Sequence, residues 1–157
     1  MNDELILVTG ASSYLGLHIV KTFLESNFKV RGTIRSFDKR LKAQALFSLD
    51  KAEDNLEVIE ANLLDAESWT RVLENITIVI HCASPHPKKK PIDDDLLIQQ
   101  AVEGTRNVLS AALSSKTVKK FILTSSYVSV SGYSLEAKKY GESDWADPER
   151  HVGYVKS

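Results

Sequence analysis

The feature that most constrains the fold is a short apolar run followed by a glycine-bounded turn and an amphipathic segment. Residues 5–8 read LILV, a run without polar alternation that is typical of a strand buried on both faces. The turn that follows contains Gly10 and Gly16, and beyond it apolar residues recur at helical spacing as far as Leu24. This order predicts the first strand–turn–helix unit of an α/β sheet.

The rest of the chain repeats that alternation. Further strands are predicted at residues 28–34, 56–60, 76–82 and 121–124, and helices at residues 39–49, 66–73 and 93–113. Five strands separated by helices imply a parallel sheet with right-handed crossovers. Residues 125–149 are polar and rich in Gly and Ser, and no strand or helix is predicted directly after the fifth strand.

Composition excludes several classes of protein. The 157 residues are 43% hydrophobic, enough for one compact domain, and 20 Lys and Arg against 21 Asp and Glu leave a formal net charge of -1. We therefore expect no nucleic-acid partner and no membrane partner. The single cysteine, Cys82, suits a cytoplasmic location, and the four histidines are too scattered to predict a metal site. Trp69 and Trp145 are expected to be packing residues.

The first turn is a candidate phosphate site. Glycine lets the backbone turn tightly and lets a pyrophosphate approach the N-terminus of the following helix. Unpaired N–H groups and the positive end of the helix dipole favour an anion there. A plain structural turn is the alternative, because glycines also end strands for structural reasons.

This segment resembles the turn T-G-x-x-G-x-x-G of the extended short-chain dehydrogenase/reductases. Within that family, Arg35 and the sequence VKKF at residues 118–121, followed by TSS at residues 124–126, resemble the dihydroflavonol reductase and cinnamoyl-CoA reductase group. The outer glycines match, while Ser13 stands at the middle glycine, where its Cβ would crowd a diphosphate or its hydroxyl would donate to it. The resemblance implies a Rossmann-type doubly wound sheet with strand order 3-2-1-4-5, and an NADP(H)-binding domain over residues 1–157 that lacks its C-terminal part and the substrate lobe. Cofactor contacts are then expected from Gly10, Ser12, Ser13, Tyr14, Leu15 and Gly16.

The end of the second strand selects the cofactor. In such sheets a carboxylate at this point binds the adenosine ribose of NAD, whereas an arginine accommodates the 2′-phosphate of NADP. This chain has Arg35 there and no carboxylate before Asp38, so the predicted cofactor is NADP(H). Lys39 is a second candidate contact, with a solvated basic helix face as the alternative. The family resemblance adds further cofactor contacts at Asn62, Leu63, Ala83, Ser84 and Thr124.

The resemblance also implies the catalytic residues. Ser126 matches the serine that hydrogen-bonds the substrate carbonyl, and Tyr154 matches the tyrosine that protonates it. The family lysine that lowers the tyrosine pKa follows four residues later, at position 158, and the chain ends at Ser157. We therefore expect this chain to bind the cofactor but to reduce carbonyls weakly or not at all.

Three functional hypotheses follow. The leading one is an NADP(H)-dependent oxidoreductase of the alcohol or carbonyl reductase type, with a small-molecule substrate and a possible homodimer. A second is an NAD-dependent nucleotide-sugar epimerase or 3β-hydroxysteroid dehydrogenase, which Arg35 disfavours. A third is a non-catalytic dinucleotide-binding module or redox sensor, supported by Ser13 and by the position of the expected lysine.

Overall fold

The computed structural model describes residues 4–37, 40–85, 94–132 and 138–147, so Lys39 and Tyr154 lie outside the described residues. The strands are β1 (Leu5–Thr9), β2 (Lys29–Ile34), β3 (Leu56–Glu60), β4 (Ile78–His81) and β5 (Lys120–Leu123). The helices are α1 (Tyr14–Glu25), α2 (Arg40–Phe47), α3 (Ala52–Asn55), α4 (Ser68–Val72), α5 (Asp94–Ser114) and α6 (Tyr127–Ser131). No helix in the described ranges has the length and apolar character needed to cross a membrane.

The five strands form one parallel sheet in the order β3-β2-β1-β4-β5, which confirms the predicted order. β1 is central: Leu7 is paired with Arg31 of β2 on one side and with Val79 of β4 on the other. Because all the strands are parallel, their carboxyl ends meet at one edge of the sheet. In open α/β sheets, ligands bind at that edge.

The sheet has a separate apolar core on each face. Ile6 and Val8 of β1 pack with Val20 and Leu24 of α1 on one face. On the other face a second cluster surrounds Leu7, and its buried members include Trp69, Val72, Val79, Val108 and Ala112. Alternate residues of one strand therefore enter opposite cores, which explains why the apolar run at residues 5–8 has no polar alternation. Trp69 is 1% exposed, so its predicted packing role is confirmed.

The observed elements differ from the predicted ones mainly in the region after β5. No helix was predicted directly after β5, yet α6 lies there. The Ser126 side chain caps this helix in a capping box with Ser129, and Gly132 ends it in the left-handed conformation, with φ 60°. These end signals outweigh the low helix propensity of two valines in the sequence YVSVS.

β5 lies at the edge of the described sheet. It pairs with β4, and no other described strand pairs with its second edge. Ile122 and Leu123 are 45% and 55% exposed, whereas the three apolar residues at the centre of β1 are fully buried. Trp145, which follows this region, is 72% exposed, so its predicted packing role is wrong for the described part of the chain.

Candidate functional site

A cleft of ≈ 410 Å³ lies at the carboxyl edge of the sheet, where the loops after β1, β2, β3 and β4 meet. Eight of the predicted cofactor residues line it, although they come from four separate loops. They are Gly10, Ser12, Ser13, Arg35, Asn62, Leu63, Ala83 and Ser84. The parallel topology brings these residues together, because each predicted contact directly follows a strand.

The two glycines of the first turn are required by close backbone approaches. Gly10 has φ +65°, and a Cβ on it would lie 3.1 Å from the Cα of Ala83. A Cβ on Gly16 would lie 2.3 Å from the carbonyl oxygen of Gly10 and 2.9 Å from the Cα of Ala11. These glycines therefore let the start of α1, the β1 turn and the β4 loop approach one another around the cleft.

Ser13 is the N-cap of α1. Its Oγ accepts the backbone N–H of Gly16 at 3.1 Å, so the bond uses an oxygen lone pair and leaves the hydroxyl proton for donation. Residues 14–17, which the structure describes, include no acidic side chain that would repel an anion at this helix end. The first turn of α1 is therefore electrostatically suited to a diphosphate.

Tyr14 and Leu15 are described, but they do not line the cleft. The Tyr14 side chain is 84% exposed, with its ring edge-on to His18 at a centroid distance of 4.7 Å, and Leu15 is 45% exposed. Their backbone N–H groups belong to the first turn of α1, where N–H groups have no acceptor within the helix. The cofactor contacts of Tyr14 and Leu15 stay a prediction. Such contacts would come from the backbone N–H groups rather than from the side chains.

A buried polar network joins the ends of β1 and β4. Thr9 Oγ1 accepts the backbone N–H groups of Cys82 at 3.1 Å and Ala83 at 3.0 Å, and it lies 2.8 Å from His81 Nδ1. With both acceptor positions of the hydroxyl in use, its proton goes to Nδ1, which places the imidazole proton on Nε2. Burial lowers the pKa of His81 to about 4, so the ring is neutral at neutral pH.

This network is a structural feature of the site that the sequence did not predict. Neither the hydrogen bonds of Thr9 nor the burial of His81 was predicted from the sequence. By holding the N–H of Ala83, Thr9 fixes the β4 loop against Gly10 at the cleft. The position of Thr9 directly before the glycine turn is the sequence signal that could have indicated this role. Gln100 of α5 also lines the cleft, but no sequence pattern distinguishes it from its helical neighbours.

The loop after β3 is held by side chain and backbone together. Asn62 Oδ1 accepts the N–H of Leu64 at 3.1 Å, and the Asn62 carbonyl accepts the indole N–H of Trp69 at 3.1 Å. The Nδ2 group of Asn62 takes no part in this turn and is the donor suited to an adenine edge. Leu63 is packed under Gly104 of α5, where a Cβ would lie 2.8 Å from the Leu63 Cβ.

The residues after β5 do not line this cleft, although they lie beside β4. Thr124 donates its N–H to the His81 carbonyl at 3.0 Å and its hydroxyl to Cys82 Sγ at 3.3 Å. Burial raises the pKa of the Cys82 thiol, so it is not activated as a nucleophile. Ser126 is exposed, and its Oγ accepts the N–H of Val128 at 3.3 Å, which again leaves the hydroxyl proton for donation.

Comparison with known proteins now identifies the family. The model of the 3-beta hydroxysteroid dehydrogenase/isomerase family matches residues 7–154. The chain belongs to this family. It is 33% identical over 143 residues to vestitone reductase of Medicago sativa, a match that covers 90% of this chain and 44% of the relative. It is 32% identical over 147 residues to the bifunctional dihydroflavonol 4-reductase/flavanone 4-reductase of Malus domestica, covering 94% of this chain and 42% of the relative.

Solved structures agree with this assignment. The crystal structure of alfalfa vestitone reductase matches with a TM-score of 0.76 at 32% identity, covering 92% of this chain and 43% of that protein. Gre2 of Candida albicans in complex with NADPH matches with a TM-score of 0.77 at 28% identity, covering 92% and 44%. These relatives confirm the resemblance to the extended short-chain dehydrogenase/reductases and the Rossmann-type fold. The chain spans less than half the length of the relatives it matches.

Proposed function

We propose that this chain is the cofactor-binding part of an NADP(H)-dependent reductase that acts on small-molecule carbonyl or alcohol substrates. The observation that carries the proposal is that Arg35 lines the same cleft as the glycine turn. A guanidinium is a planar, permanently charged donor suited to a phosphate, so a 2′-phosphate is the group that Arg35 would recognise. The relative Gre2, solved with NADPH, supports this choice of cofactor.

The residues around the cleft fit such a cofactor. The first turn of α1 would hold the diphosphate. A side chain at Gly10 would crowd the backbone of Ala83, and one at Gly16 would clash with the backbone of the turn itself. Asn62 would donate to the adenine, and the small Ala83 and Ser84 leave room beside the diphosphate and ribose. Lys39 is a further proposed contact of the 2′-phosphate. When bound, NADPH supplies the hydride for carbonyl reduction.

Ser126 and Tyr154 are the proposed catalytic residues. Ser126 would donate its uncommitted hydroxyl proton to the substrate carbonyl oxygen, and Thr124 would support the cofactor beside it. Tyr154 would supply the proton that neutralises the developing alkoxide. A lysine four residues beyond Tyr154 would lower the pKa of the phenol, and position 158 lies one residue past Ser157.

The test is a calorimetric titration of the 157-residue chain with NADPH and with NADH. We expect tighter binding of NADPH, and we expect Arg35→Ala to weaken NADPH binding by about 10- to 100-fold with little effect on NADH. Arg106→Ala is the matched control, because Arg106 is exposed on α5 and does not line the cleft. Equal affinity of the unaltered chain for the two cofactors would contradict the proposal.

Location and assembly complete the proposal. The single cysteine and the near-zero net charge support a cytoplasmic protein. Homodimer formation is supported by exposed apolar side chains on α5, where Leu113 is 78% exposed. Light scattering at two protein concentrations tests the dimer, and a monomeric mass at both would contradict it.

A further inference from the structure

The loop that carries Arg35 is attached to the end of β3 at two points. Before Arg35, the Ile34 carbonyl accepts the backbone N–H of Ala61 at 2.9 Å. After it, the backbone N–H of Phe37 donates to Glu60 Oε1 at 2.5 Å. The register of the sheet places Glu60 opposite Ile34, so the carboxylate reaches the loop directly across the strand pair. Arg35 thus lies between two anchors, one from backbone and one from a side chain.

We propose that Glu60 is a positioning residue that sets the preference of this site for NADPH over NADH. The inference rests on the proposed role of Arg35 as the group that binds the 2′-phosphate. A guanidinium recognises phosphate through hydrogen bonds of defined direction, so its backbone must be held in place before the ligand binds. Without the anchor at Phe37, part of the binding free energy is spent on ordering the loop. NADH, which has no 2′-phosphate, gains nothing from that order.

The charge of Glu60 by itself would act in the opposite sense. A carboxylate near a phosphate site repels the phosphate, so removing the charge would strengthen NADPH binding. Two substitutions separate position from charge. Glu60→Gln removes the charge but keeps the side-chain length and an acceptor oxygen, whereas Glu60→Asp keeps the charge but is one methylene too short for the Phe37 N–H.

The experiment measures Kd for NADPH and for NADH, by titration calorimetry, on the 157-residue chain and its variants. We expect Glu60→Gln to keep the ratio of the two Kd values within about threefold of the unaltered chain. We expect Glu60→Asp and Glu60→Ala each to reduce the preference for NADPH about tenfold, with the Kd for NADH unchanged. Glu57→Gln and Glu57→Ala are the controls, because the Glu57 carboxylate on the same strand bonds Arg31 Nε at 2.7 Å instead of the loop.

The outcomes are distinguishable. The inference is overturned if Glu60→Asp keeps the full preference for NADPH, or if Glu60→Gln strengthens it while Glu60→Asp leaves it unchanged. If Arg35→Ala abolishes the preference and Glu60→Asp leaves it unchanged, only this inference fails. If Arg35→Ala keeps the preference, the proposed function of Arg35 fails, and the inference fails with it. Circular dichroism identifies the variants that fold. If Glu60→Ala does not fold, the ratio of Kd values measured for Glu60→Asp tests the inference.

Discussion

The site has two ends, one where β1 meets β4 and one in the residues after β5, and different kinds of contact hold them. At the β1–β4 end, Thr9 and His81 are buried, and their hydrogen bond joins residues more than 70 positions apart in the chain. From Ser125 onward, the side-chain bonds of the described residues connect near neighbours that are exposed or only partly buried, such as Ser126 with Val128 and Lys138 with Asp144. The first arrangement depends on the whole sheet, whereas the second depends on local sequence. Substitutions at the first end should therefore affect stability and cofactor binding far more than those at the second.

The largest difference is expected between two glycines. Gly16→Ala puts a Cβ against the Gly10 carbonyl and the Ala11 backbone, so we expect it to destabilise the protein by at least about 3 kcal/mol and to abolish NADPH binding. Gly141→Ala is the control, since its Cβ would meet no described atom closer than 3.9 Å. Urea denaturation and calorimetry measure both effects. Similar losses of stability and of NADPH binding in the two variants would contradict the expected difference between the two ends of the site.

The second prediction concerns pH. The pKa of His81 is lowered from 6.5 to about 4 in the folded protein, so between these values the unfolded chain binds a proton that the folded protein does not. The contribution of His81 to stability is full above about pH 6.5 and decreases by about 3 kcal/mol as the pH falls to about 4. Urea denaturation from pH 7.5 to 4 measures this slope.

A matched pair of histidine substitutions isolates the source of that slope. His81→Gln should flatten the pH dependence, because the titrating group is gone. His18→Gln should leave it unchanged, because His18 is exposed. An unaltered slope in the His81 variant would show that the buried imidazole is not responsible for the pH dependence.

A smaller difference is expected between the two serine caps. Ser13→Ala removes the cap of the 12-residue α1 and should cost about 1 kcal/mol, while Ser13→Gly should cost only a few tenths. Ser126→Ala removes the cap of the five-residue α6, in which only Ser131 is buried, and only a few tenths of a kcal/mol are expected. Equal losses in urea denaturation would contradict the view that α6 is supported mainly by local contacts.

The smallest effect is expected at Asp144. The N–H of Gly141 and then Lys138 lower the pKa of this exposed carboxylate, which therefore favours the folded state above its ordinary titration range. Solvent screens such a pair, so Asp144→Asn should change Tm at pH 7 by less than about 1 °C. A Tm decrease as large as that of Ser13→Ala would show that residues 138–147 are attached more firmly than their exposure indicates.

Much of the fold and of the candidate site could be predicted from the sequence because the informative signals are local. Hydrophobic periodicity identified five strands in their correct places, with ends displaced by no more than two residues. Position at a strand end identified Arg35, and the family resemblance identified Asn62 and Ala83, as residues that line the same cleft. The roles of Thr9 and Glu60 could not be predicted in this way, because each depends on a partner in another strand or loop.

By itself, the sequence determined the strand–helix alternation, the glycine turn and the basic residue after β2, since these follow from periodicity and from the absence or presence of a side chain. Only the tertiary structure decided that His81 is a buried, neutral acceptor for Thr9 and that Glu60 holds the loop of Arg35. The physical reason is that burial and hydrogen-bond partners depend on which strands are adjacent. The order of the strands in this sheet, β3-β2-β1-β4-β5, differs from their order along the chain.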